Sequence, residues 1–124
     1  MFYFCTGGPI KTIRFKPIRQ ISLNIRSVQY MARLVNDKDF EIMHGSDLYA
    51  IASGKSNTMD FRASEFSLHL VTHELCHAYH FASFVETAEL TPIQVEECMC
   101  EMFAAFGPEL LKNANTIYNK LKGK

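Results

Sequence analysis

Residues 68–81 read LHLVTHELCHAYHF, and how this stretch is read decides the fold. Together with Phe66, its apolar positions Leu68, Leu70, Val71, Leu75, Ala78 and Phe81 recur at helical spacing. Ser64, Glu65 and Ser67 supply start signals just ahead of it, so a helix is predicted from there to about residue 84. His73, Glu74 and His77 sit in its middle. In a helix, positions i and i+4 lie one turn apart on the same face, so two imidazoles so placed can grip one metal ion. Glu74 is rotated by about 100° from His73 and flanks the ion without joining its shell. From there it can take a proton from a water that the ion has acidified towards pKa ~7. The expected chemistry is zinc-dependent hydrolysis, with one Zn2+ per chain, His73 and His77 as ligands and Glu74 as general base. The plainer alternative is a buried helix whose histidines are merely hydrogen-bonded.

An open catalytic zinc site needs a third protein ligand. No histidine follows His80. His69 lies about 12 Å from His77 along the helix axis, too far to share an ion. His80 is three residues from His77 but seven from His73, so one small shell cannot take all three without distortion. Carboxylates on a later helix remain. Glu97 and Glu101 are i and i+4 on one face. Glu97 is assigned as ligand, and Glu101 as the acceptor for the spare N–H of a ligand imidazole. The reverse assignment stays open, as do Glu96 and Cys100. These acids stand in the apolar run Cys98–Phe106 or beside it, where charges need partners.

Working outward, residues 10–18 alternate apolar and basic positions and are predicted as a half-exposed strand. Residues 20–35 place Ile21, Ile25, Val28, Met31 or Ala32, and Val35 at helical spacing, ended by Asn36-Asp37. Residues 40–44 and 47–53 are short strand candidates around Gly45-Ser46, and Gly54–Asn57 is a turn. Thr58, Met59, Asp60, Phe61 and Arg62 form the strand before the motif helix, predicted to hold an extended substrate along its edge. Thr91 caps a second long helix with Pro92 at its first position, Gly107-Pro108 punctuates it, and a last helix covers about 109–121.

The bulk properties agree with one globular domain. The chain has 124 residues, 48% hydrophobic and 21% charged, with 13 basic and 13 acidic side chains. Zero formal net charge argues against general nucleic-acid binding. Basic residues from Lys11 to Arg33 and acids from Glu86 to Glu109 segregate, which reads either as two mutually attracting faces or as a basic docking surface. No secretory signal or membrane span is read, and Cys5, Cys76, Cys98 and Cys100 form no disulfide framework, so reduced thiols in a cytoplasmic protein are expected.

His73–His77 followed by Glu97-Cys98-Met99-Cys100-Glu101-Met102-Phe103-Ala104-Ala105 resembles the gluzincin type of zinc metallopeptidase. The Phe-Ala-Ala segment, with Pro108 and Leu110-Leu111, is similar to small ImmA/IrrE-type phage and bacterial metallopeptidases, where a glutamate stands six residues before a Phe-Ala pair, as Glu97 does here. Cys100 departs from the alanine usual in that group. The resemblance covers roughly residues 58–111. It implies an α+β, zincin-like domain: a three- to four-stranded sheet packed on the motif helix and a glutamate-bearing helix. It also implies a protein or peptide substrate, and through the phage members, action in a host cytoplasm. SprT-type proteases and metzincins lack their third histidine here, and peptide deformylases their cysteine pattern. Two other outcomes remain in view: a metal-holding interaction module without catalysis, and an enzyme acting on a non-peptide amide.

Overall fold

The computed structural model describes residues 15–82 and 90–123. Among them, a four-stranded mixed sheet is joined by three helices, giving a small α+β fold. The strands are β1 (Arg19–Ile25), β2 (Val28–Val35), β3 (Ala50–Ser53) and β4 (Thr58–Arg62), in the order β1-β2-β4-β3. The β2–β4 pairing is parallel; the other two are antiparallel. The helices are α1 (Asp37–His44), α2 (Leu68–Ala82) and α3 (Pro92–Lys122).

One face of the sheet is apolar because β-strands alternate their side chains. Ile25, Tyr30, Ala32, Leu34, Ala50, Ala52, Met59 and Phe61 project from it and form one core with Val71, Leu75 and Ala78 of α2 and Leu110, Ala114, Ile117 and Leu121 of α3. The other face is mixed, with buried Val35 and Ile51 beside polar groups. There Asp60, 1% exposed, receives Arg33 through two bonds of 2.6 and 2.8 Å and His44 at 2.8 Å. Arg62 ties Leu48 O, Gly45 O and Glu41 together beneath α1 and lies over the Phe40 ring.

Several expectations need correction. Residues 20–35 are the β1–β2 hairpin, not a helix. Arg26 and Ser27 turn it with φ of 49° and 70°, the positive values that a two-residue hairpin turn requires. Residues 40–44 belong to α1, not to a strand. Asn36 starts that helix by accepting from the Asp39 N–H at 2.9 Å, and Gly45 stops it at φ 86°. Of the 47–53 candidate, only Ala50–Ser53 pairs as a strand. In the 10–18 candidate, residues 10–14 fall outside the described residues and the sheet starts at Arg19. α2 begins at Leu68, with the Ser67 hydroxyl accepting from the Leu70 N–H; residues 83 and 84 fall outside the described residues. The Thr91 cap is present as a full capping box with Gln94, but α3 continues through Gly107-Pro108 as one helix.

The strand Thr58–Arg62 exists as predicted, but it cannot take substrate along an edge. β4 is hydrogen-bonded to β2 on one side and β3 on the other, so Thr58, Met59, Asp60, Phe61 and Arg62 have no free backbone edge to offer. Met59, Asp60, Phe61 and Arg62 are also buried. No helix among the described residues is long and apolar enough to cross a membrane. Cys76, Cys98 and Cys100 are free thiols.

Candidate metal centre

α2 lies on the sheet with Val71, Leu75 and Ala78 inward. Helical geometry then places His73 and His77 together on the flank of the helix and Glu74 between that flank and the core. The structure shows this arrangement. The two imidazoles are half-buried, with ring centroids 5.0 Å apart, and Glu74 is 0% exposed. One donor atom from each of His73, Glu74 and His77 lies within 4.8 Å of the others. Nε2 of His73 and both carboxylate oxygens of Glu74 are buried without a hydrogen-bond partner. Buried polar atoms are rarely left so, because each costs about 1–3 kcal/mol. A cation at the convergence point would satisfy all of them, so the residues fit a metal.

The electrostatics suit the same purpose. Burial pushes the Glu74 carboxyl up to about 7. Burial, with charge on His73 and His80, pushes His77 down to about 4, and burial also lowers His73. Both imidazoles are then neutral at physiological pH, and each keeps the lone pair that a metal ligand needs. The His77 ring stacks on Phe81, centroid to centroid 6.3 Å. Gly54, in the turn between β3 and β4, packs closely on Phe81: a methyl group there would come within 2.9 Å of Phe81 Cγ. The sheet thus supports His77 through Phe81. An aromatic four residues after His77, on the same helix face, was the sequence signal for this support.

The structure does not bring the predicted carboxylates to this group. Glu97 and Glu101 are exposed on α3, and neither belongs to the His73–Glu74–His77 cluster. Glu101 instead lines a groove shared with His80 of α2. His69 is exposed. The phenols of Tyr49, Tyr118 and Tyr79 have other surroundings. Tyr49 is exposed, and Tyr118 stacks on Phe66. The Tyr79 hydroxyl donates to Glu109 Oε2 and accepts from Asn113 Nδ2, both at 2.9 Å, and burial with the Glu109 carboxylate pushes its pKa up to about 12. This clamp joins α2 to α3. Tyr79→Phe is expected to lower stability by about 1–2 kcal/mol, seen as a lower urea midpoint, without changing metal content.

No family model matches the chain, and neither a curated protein nor a solved structure matches it.

Proposed function

We propose that the chain is a zinc-dependent peptidase of the gluzincin type, with His73 and His77 as metal ligands and Glu74 as the general base. The observation that carries this reading is the convergence of three donor side chains, two of them with buried, unpartnered polar atoms, on one helix. Zinc, when bound, supplies an acidified water and polarises the scissile carbonyl. Glu74, raised to about 7, is matched to accepting and returning a proton at neutral pH. With β4 enclosed, β3 is the end strand of the sheet among the described residues, packed against α2 and buried at Ala50, Ile51 and Ala52.

Glu97 is kept as the proposed third donor from its place in the sequence, although in the structure it is exposed on α3 and outside the His73–Glu74–His77 group. Metal analysis of the wild type beside His73→Ala, His77→Ala, Glu97→Ala and Glu101→Ala tests the assignment. About one zinc per chain is expected in the wild type and Glu101→Ala, and much less in the other three. A wild type that holds no zinc after reloading sinks the peptidase reading.

One observation favours a second reading. Among the described residues, Glu74 is the third member of the metal-sized group. If Glu74 itself ligates the ion, the chain is a metal-holding interaction module and not an enzyme. Glu74→Gln then loses zinc, whereas a general base can be replaced without losing it.

A further inference from the structure

The His77 imidazole is met by a residue outside the donor group. Phe81 follows His77 by four residues, so the two side chains stand one above the other on α2. Their rings are stacked, with 6.3 Å between centroids and 22° between planes. Phe81 is in turn met from the sheet. A methyl group on Gly54 would come within 2.9 Å of Phe81 Cγ, 3.1 Å of Cδ1 and 3.3 Å of Cβ. Those atoms are the root of the side chain, which can yield only by turning the whole ring about χ1. Among the described residues the glycines with positive φ are Gly45 and Gly123, so the backbone at Gly54 does not itself call for glycine. What glycine supplies at this position is room for the close approach of Phe81.

The turn that carries Gly54 is fixed to the sheet. Ser53 and Thr58 pair across its base. The Ser53 hydroxyl accepts from the Ser56 N–H at 3.3 Å, and the Ser56 and Thr58 hydroxyls share a bond of 2.7 Å. Asn57 takes the left-handed conformation, φ 56°, and its carbonyl accepts from the Met31 N–H of β2 at 3.0 Å. A line of contacts therefore runs from β2 through this turn to Gly54, Phe81 and the His77 ring. Its use follows from what a ligand needs. A helical side chain has more than one χ1 well, and a ring free to choose must be ordered when it binds. A ring already held in the ligating well has met that cost on folding. We propose that Phe81 is a positioning residue for the metal: it fixes the His77 imidazole in its ligating orientation, and Gly54 sets where Phe81 stands. The proposal rests on the metal-binding reading of His73 and His77 above, and it makes the β3–β4 turn, which offers no donor, a determinant of metal affinity.

The test titrates Zn2+ into the metal-free full chain against a competing chelator, with circular dichroism to verify folding and urea midpoints of the metal-free proteins measured beside it. Phe81→Leu and Gly54→Ala are each expected to weaken zinc binding by about tenfold or more. Phe81→Tyr keeps the ring and should bind zinc as the wild type does. Ile117→Val, in the core on α3, should lower the urea midpoint and leave zinc binding unchanged, which separates positioning from general stability. Gly54→Ala added to Phe81→Leu should weaken binding little beyond Phe81→Leu alone, because both act through one ring. The two single variants reach the contact from its two partners, so either one that folds decides the outcome. A folded variant that binds zinc as tightly as the wild type overturns the positioning role and leaves the metal group standing. A wild type that binds no Zn2+ overturns the metal group and the positioning role with it.

Discussion

Glu74→Gln is expected to keep its zinc, to lose about 10²- to 10⁴-fold in peptide-bond cleavage, and, once stripped of metal, to be more stable than the wild type above about pH 7. The three outcomes follow from one placement. Glu74 is fully buried, and neither carboxylate oxygen has a hydrogen-bond partner, so its ionised form is disfavoured and its pKa rises from 4.5 to about 7. Between those values the metal-free folded chain holds a proton that the unfolded chain has released. Stability therefore falls as pH rises through that window and levels off above it. The difference amounts to about 3 kcal/mol. Glutamine fills the same space and cannot ionise, so the variant escapes this loss. Urea midpoints in chelator at pH 5 and pH 8 read the effect: the variant should gain on the wild type only at the higher pH. An acid that served structure would behave in the opposite way, because removing it would strip satisfied bonds. A variant less stable at pH 8 would therefore remove the argument that Glu74 is held for chemistry, and a variant that loses its zinc would transfer Glu74 to the ligand shell.

The parts of this centre that could be read from sequence are those fixed within one helix. His73, Glu74 and His77 needed only the i, i+4 rule, and Thr91 with Gln94 needed only the capping box. The hairpin was not legible, because residues 20–35 carry both periods at once. Counting Ile21, Ile25, Val28 and Val35 gives a helix. Counting Ile21, Leu23 and Ile25, then Val28, Tyr30, Ala32 and Leu34, gives two strands, and those seven side chains lie in or against the core. The turn between them uses Arg26 and Ser27 in a conformation usually marked by asparagine and glycine, so no local signal separated the choices. Asn36-Asp37 was read as a stop when its side chains start α1. The central place of β4 is a non-local fact. Its residues looked the same whether they lay at an edge or between two strands, and only pairing with β2 settled it. The position of Glu97 likewise depends on how α3 crosses α2, which no spacing within α3 can specify.

Asp60→Ala should lower stability by about 3–5 kcal/mol, against a total of roughly 5–15 kcal/mol for a domain of ordinary stability. Burial alone would push this carboxyl up, but the hydrogen bonds from His44 and Arg33 outweigh it and hold Asp60 below the usual carboxylate range. Alanine removes the anion and leaves the Arg33 guanidinium and His44 facing a position that returns nothing. The sign with pH is the reverse of that for Glu74. A depressed folded pKa contributes stability above the unfolded value of 3.8, and that contribution is lost as pH falls through the folded value. The gap between wild type and Asp60→Ala should therefore be open at pH 7 and narrow below about pH 3.8. Replacing the pair together, Arg33→Met with Asp60→Leu, should recover much of the loss, because two apolar partners leave no stranded charge. The same variant decides between the two roles this residue has been given. If Asp60 contacted substrate, Asp60→Ala would change cleavage and leave the urea midpoint nearly still. If it ties α1 to the centre of the sheet, the midpoint falls first, and in conditions where the variant stays folded, the zinc proposed for His73 and His77, on the opposite face, should be retained.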